Sequence, residues 1–217
     1  MLLLTPTVLH LLRYSWTEPI VLLLLAATVT AAVRAPRTTG IFLGLFLTAK
    51  QFCLVAVPVA LLLLRPGGTR REAGRLVVST IVGAAIGVVP FLLWDVPAFT
   101  KAIVEIAAHT AMRFDSLGFG PEIANMAGGD VPGWVPFAAA GIAVLLALVR
   151  APWTPSGFAI ATGLAILAFF IVARQAFPNY YFLVVGAIAI GIAAAAPAAR
   201  ATPPPVGAGP PADGTTR

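Results

Sequence analysis

The chain has 217 residues, 59% of them hydrophobic and only 10% charged. That charged share is far below the ~25% of ordinary soluble domains, which predicts an all-α, polytopic transmembrane helical bundle in the cytoplasmic membrane. The net charge of +6 is no nucleic-acid footprint, because Arg34, Arg37, Arg65, Arg70, Arg71, Arg75, Arg150 and Arg200 stand scattered at segment ends, as membrane orientation requires. One cysteine, Cys53, excludes an internal disulfide, and two histidines without a Cys/His cluster give no zinc site. No phosphate-cradling glycine loop, HExxH or GxSxG is present, and no cofactor is expected.

Residues 1–12 are apolar but too short to span, and they lack the basic start and small-residue cleavage site of a signal peptide. They resemble the tail of a helix, with His10 as a helix-end residue. Residues 13–19 form a polar, aromatic junction in which Tyr14 and Trp16 suit a membrane interface. Pro19 suits a first helical turn, and Glu18 meets the positive end of that helix. The first predicted span covers 19–33.

The stretch 38–64 is the most informative. Twelve uncharged residues precede Lys50, and fourteen follow it before Arg65. At ~1.5 Å per residue the pieces measure roughly 18 and 21 Å, and neither alone crosses a hydrocarbon core of about 30 Å. Run together they place Lys50 and Gln51 deep in the membrane, where an ionisable group marks a functional site. The alternative is a snorkelling lysine at a helix end. Gly40 and Gly44 form a GxxxG that admits a close helix neighbour.

The arginine-rich loop 65–75 is the strongest cytoplasmic marker, and 76–94 is a clear span with a second GxxxG at Gly83 and Gly87. Residues 95–133 form the one long non-spanning region, an outer loop in which Asp95, Glu105, Asp115, Glu122 and Asp130 outnumber Lys101 and Arg113. Its first part, 97–112, reads as an interfacial amphipathic helix, with Lys101, Glu105 and His109 on one stripe and Phe99, Ile103 and Ile106 on another. Further spans are expected at 131–149, 154–173 and 178–196, all within one transmembrane domain over 1–196. Residues 197–217 form a disordered cytoplasmic tail.

Placing the arginine loop inside puts 95–133 and 174–181 outside. Arg34 and Arg37 also favour the inside, so both ends of 38–64 fall on one side. Twenty-seven residues are too few for two full crossings. Either the segment is a broken, re-entrant pair turning near Lys50 and Gln51, or it crosses once and breaks the charge rule.

At the outer face, Arg174, Gln175, Asn179 and Tyr180 are dense for a turn between spans. They offer a bidentate grip on phosphate or, alternatively, an aromatic belt with a snorkelling arginine. Arg113 with Asp115 and Ser116 reads as a phosphate or sugar contact, or as a local ion pair. Lys50, Gln51, Arg113, Arg174, Gln175, Asn179 and Tyr180 are therefore the candidate substrate-binding residues, suited to an anionic lipid-linked phosphate. No carboxylate stands in a motif that names a catalytic base.

Four stretches carry a family resemblance: YSWTEPIVLLLLA (14–26), GLFLTAKQFCLVAVPVALLL (44–63), PFLLWDVPAF with RFDSLGF (90–119), and RQAFPNYYFLV (174–184). Their order resembles the C-terminal half of GT-C type membrane glycosyltransferases, nearest to actinobacterial polyprenyl-phosphate-mannose-dependent mannosyltransferases. The resemblance implies a transferase using a polyprenyl-phosphate sugar donor at the extracytoplasmic face, moving a mannosyl or related pentosyl group. In that superfamily the essential acid lies on the first outer loop, after a first span. This chain opens without either, so the resemblance implies a truncated or split product that needs a separate N-terminal half. A small transporter or flippase subunit, or a non-enzymatic membrane protein, are the alternatives.

Overall fold

The computed structural model describes residues 17–64, 66–105 and 112–200, with side chains masked from description at 104–105 and 197–200. The expectations for residues 1–16, Arg65, Ile106, His109 and the tail beyond 200 lie outside the described residues. All regular structure among the described residues is helical. Helix α1 spans Glu18–Arg34 and α2 spans Thr39–Ala49. Two six-residue 3₁₀ helices follow, Gln51–Ala56 and Pro58–Leu63. Then come α3 (Arg70–Trp94), α4 (Val96–Thr100), a π-turn (Lys101–Glu105), α5 (Gly120–Ala127), α6 (Val135–Arg150), α7 (Pro155–Ile171) and α8 (Pro178–Arg200).

Local chemistry explains most boundaries. Pro19 sits in the first turn of α1, where its missing N–H costs nothing. Thr69 and Glu72 form a reciprocal capping box on α3, with bonds of 3.2 and 3.0 Å. The Thr154 hydroxyl accepts the Gly157 N–H at 3.0 Å and opens α7. Asp95 accepts the Ala98 N–H at 2.9 Å, which ends α3 and starts α4. The expected amphipathic helix over 97–112 is not continuous: α4 gives way to a π-turn at Lys101.

The order of packing gives the topology. A four-residue link makes α1 and α2 an antiparallel hairpin. Gly40 faces Leu76 and Ser79, Gly44 faces Thr80 and Ala84, and Thr48 faces Gly87, so α2 and α3 run parallel. The chain must therefore turn back after α2, and the 3₁₀ pair makes that return against α6 and α7. The two GxxxG motifs are the contact. A Cβ on Gly44 would lie 2.1 Å from the Thr80 carbonyl oxygen, and one on Gly83 would lie 2.1 Å from that of Ile41. Only glycine lets the backbones touch this closely.

Helix α7 is the centre. Phe158, Ala159, Ala161, Thr162, Ala165 and Ile166 are all buried, as expected of a helix apolar on every side. The 3₁₀ pair, α1, α6 and α8 surround it. Helix α3 is the opposite case, with Gly83 its one buried residue and Val77, Val78, Ile81 and Ile86 open. Two helices, Arg70–Trp94 and Pro178–Ala196, are long and apolar enough to cross a membrane, whereas Thr39–Ala49, Val135–Arg150 and Pro155–Ile171 are shorter apolar helices.

This arrangement divides the molecule into two ends. Arg34, Arg70, Arg71, Arg75 and Arg150 lie at one, where α1 and α6 finish and α3 begins. Glu18, Lys50, the loop after α3 and the turn before α8 lie at the other.

Candidate functional site

Helix α2 stops at Lys50 although neither glycine nor proline stands nearby; the first proline is Pro58. Lys50 is extended, with φ −151° and ψ 148°. Tertiary bonds account for the break. The Lys50 ammonium donates to Glu18 Oε1 across the α1–α2 hairpin. The next residue, Gln51, donates from its amide to the Ile103 carbonyl at 3.0 Å. These two anchors hold adjacent side chains against different neighbours at the break.

Glu18 is fully buried, while the Lys50 side chain keeps 27% of its surface open. The pair thus has a closed acidic side and an open basic side. Glu18 Oε2 has no hydrogen-bond partner among the described residues. Aromatic rings wall the pair. Phe170 stacks on Tyr180 with centroids 4.1 Å apart, and Phe52 meets Phe170 edge-on at 5.0 Å. The Lys50 nitrogen lies 5.9 Å from the ring centres of both Phe52 and Tyr180, within cation–π reach. Asn179 is buried beside Tyr180 in sequence, and its Oδ1 is also unpaired among the described residues. A buried carboxylate oxygen and a buried amide oxygen without partners are costly; the Thr39 and Thr162 hydroxyls, at other levels of the bundle, are likewise without partners among the described residues.

The turns at this end of the bundle are stitched together beside these rings. The Leu117 N–H donates to the Ala176 carbonyl at 2.7 Å, and the Phe119 N–H donates to that of Ile171 at 2.7 Å. The Ser116 hydroxyl accepts the Ala176 N–H at 2.6 Å, and the Tyr181 hydroxyl donates to the Leu117 carbonyl at 3.1 Å. Arg113 lies over the Phe177 ring at 5.1 Å, and Phe177 lies 6.3 Å from Tyr180. Arg113, Phe177, Tyr180 and Lys50 therefore form one continuous line of cation–ring contacts.

Three cations were expected to face one anion together. Each instead has an acid of its own. Arg113 grips Asp115 through Nε and Nη2, with the Nε bond at 2.9 Å. That fork holds the Asp115 carboxyl below the usual carboxylate range and pushes the guanidinium up. Arg174 pairs with Asp130 at 2.9 Å and also donates to the Val131 carbonyl at 3.2 Å. Gln51 contacts the loop at Ile103, and Gln175 stands half-buried in the turn between α7 and α8. Among the seven residues singled out in the sequence, the Lys50 ammonium reaches the Tyr180 ring, and the Arg113 N–H donates to the Arg174 carbonyl at 3.2 Å.

Glu18 was missed as a site residue. Its place in the first turn of α1 explains it as a favourable acid at a helix start, and that explanation hid the partner 32 positions away. An acid and a base in neighbouring apolar helices, at the open end of a hairpin, were the available signal. Compared with protein-family models, curated proteins and solved structures, the chain matches none.

Proposed function

We propose that this chain is a multi-pass protein of the cytoplasmic membrane and forms the donor-phosphate side of a glycosyltransferase. In this reading a polyprenyl-phosphate sugar, mannosyl or a related pentosyl, enters at the extracytoplasmic end. The observation that carries the proposal is the Glu18–Lys50 pair, a buried acid holding a part-open ammonium at a helix break in an apolar bundle. A buried ionisable group in an apolar membrane bundle is by default a functional-site hypothesis. The resemblance over 14–184 supplies the reaction.

During transfer the acceptor hydroxyl oxygen bonds to the anomeric carbon and gives up its proton to the carboxylate that the resemblance assigns to the separate N-terminal half. The bond from that carbon to the phosphate oxygen breaks, and the electron pair leaves with the lipid phosphate. Lys50 is placed to meet that growing charge, on the side of its ammonium that Glu18 does not cover. Fixed positive charge in a water-poor site acts most strongly where charge develops. Tyr180 and Phe52 offer ring faces to the sugar or to the first isoprene units. Arg113 and Arg174 order the outer loop through Asp115 and Asp130 and border the entrance.

The test is donor binding by the purified chain in lipid, using a radiolabelled polyprenyl-phosphate mannose. Lys50→Ala, made together with Glu18→Gln so that no buried charge is stranded, is expected to weaken binding at least tenfold while protein level and helicity hold. Lys50→Arg is expected to retain most of it. Donor binding unchanged in Glu18→Gln/Lys50→Ala would refute the assignment.

A further inference from the structure

The groove between α2 and α3 at the arginine end carries its own chemistry. Arg71, Gly74, Arg75, Val78 and Val82 line it from α3, and Ile41 closes it from α2. The α3 positions fall at i, i+3, i+4, i+7 and i+11, one stripe of a helix. Read from its start, that stripe presents Arg71, the gap at Gly74, Arg75 beside it and then two valines. Gly40 of α2 packs at the level of Leu76 and Ser79, so the first turns of α3 project past α2 and leave both arginines exposed.

Neither guanidinium has an acid among the described residues. The one carboxylate between them in sequence, Glu72, is committed to the capping box through the Thr69 N–H at 3.0 Å. The Ser79 hydroxyl, which also borders the groove, donates back to the Arg75 carbonyl at 2.7 Å. Two like charges one turn apart, roughly 5–6 Å between Cβ atoms, repel and are relieved by an anion between them. Below them the floor is apolar. Val78 is 62% exposed and Val82 46%, and a Cβ on Gly74 would meet nothing within 4 Å. A free phosphate would use the arginines and leave this floor bare. An acyl chain would cover it.

We propose that this groove binds one anionic phospholipid, its phosphate between Arg71 and Arg75 and an acyl chain along Gly74, Val78 and Val82. The site is at the opposite end of the bundle from Lys50. It rests on the membrane part of the proposed function and not on the transferase part. Basic residues at a membrane surface attract anionic headgroups, and here a slot for the tail adds the second half of a lipid.

The experiment is native mass spectrometry of the full chain in mild detergent, titrated with phosphatidylglycerol, phosphatidylcholine or glycerol phosphate. The expected result is one retained phosphatidylglycerol, favoured at least tenfold over phosphatidylcholine. It is lost in Arg71→Gln/Arg75→Gln and also in Gly74→Leu, which fills the slot. It persists in Arg71→Lys/Arg75→Lys and in Gly74→Ala, the controls for a general loss of structure. Equal retention of both lipids would overturn the proposal. So would loss in the glutamine variant with none in Gly74→Leu, which would reduce the effect to surface charge. Competition by glycerol phosphate at equal concentration would make it a free-phosphate site and overturn the lipid assignment.

Discussion

Glu18 and Lys50 are worth little as isolated charges and much as a pair. A buried ion pair seldom stabilises more than an apolar replacement, yet removing one member strands the other. Glu18→Gln is therefore expected to destabilise the chain by about 2–3 kcal/mol, the lower part of the usual range because Lys50 is partly open to solvent. Glu18→Gln/Lys50→Met is expected to recover at least half of that loss, as read by a thermal double-mutant cycle in detergent. If the losses simply add, the two residues act independently. Arg113 and Asp115 behave differently, since both are exposed. A carboxyl held low in the folded state contributes stability above its unfolded value, near 3.9, and loses it as pH falls through the lower folded value. Amide exchange at Leu117, whose N–H is bonded to Ala176, is expected to quicken below about pH 4 in the native chain. In Asp115→Asn it is expected to be fast already at neutral pH. At this scale Lys50 was legible, because a charge inside an apolar run stands out. Glu18 was not, because its acid has a sufficient local explanation and its true partner is a matter of tertiary packing.

Among the elements, α2 and α3 show what glycine spacing decides. Gly83→Val would drive its Cβ into the Ile41 carbonyl and is expected to cost at least about 3 kcal/mol, or to prevent folding. Gly141→Ala in α6 meets nothing within 4 Å and is expected to stabilise by about 0.5–1 kcal/mol through helix propensity. Thermal unfolding of both variants in one detergent separates the two kinds of glycine. The GxxxG motifs announced a close helix contact, and the structure pairs them with each other. The capping box of Thr69 and Glu72 starts α3 at Arg70, inside the stretch 65–75 that the sequence reads as a loop. What the sequence left open was the winding after Lys50. Nothing in the residues from Gln51 to Leu63 forbids an α-helix except Pro58, and the 3₁₀ form follows from the ends being held apart by other elements. The outer region was legible as a loop, but its interfacial helix was drawn too regular, since periodicity alone does not foresee a π-turn.

As a whole the molecule is polar in the electrical sense. One end holds arginines with few acids near them, and the other holds Lys50, Arg113 and Arg174 each against a carboxylate, with Lys101 exposed. The first pattern suits contact with a charged surface, and the second suits a site where a ligand can exchange for an internal partner. The all-α class was legible from composition. The bundle's centre was not. Residues 154–173 read as one apolar run among several, and only packing shows that α7 is enclosed while α3 is almost bare.

The 3₁₀ return leg gives Lys50 a mechanical setting. Its two six-residue helices rise ~2.0 Å per residue and cover about 24 Å, whereas the same residues wound as α-helix would cover about 18 Å. The difference, about 6 Å, is comparable to the reach of a lysine side chain. Rewinding would draw position 50 toward the arginine end and away from Glu18, with no change in covalent length. The Glu18–Lys50 pair and the Gln51–Ile103 bond together hold the start of this return leg where it is.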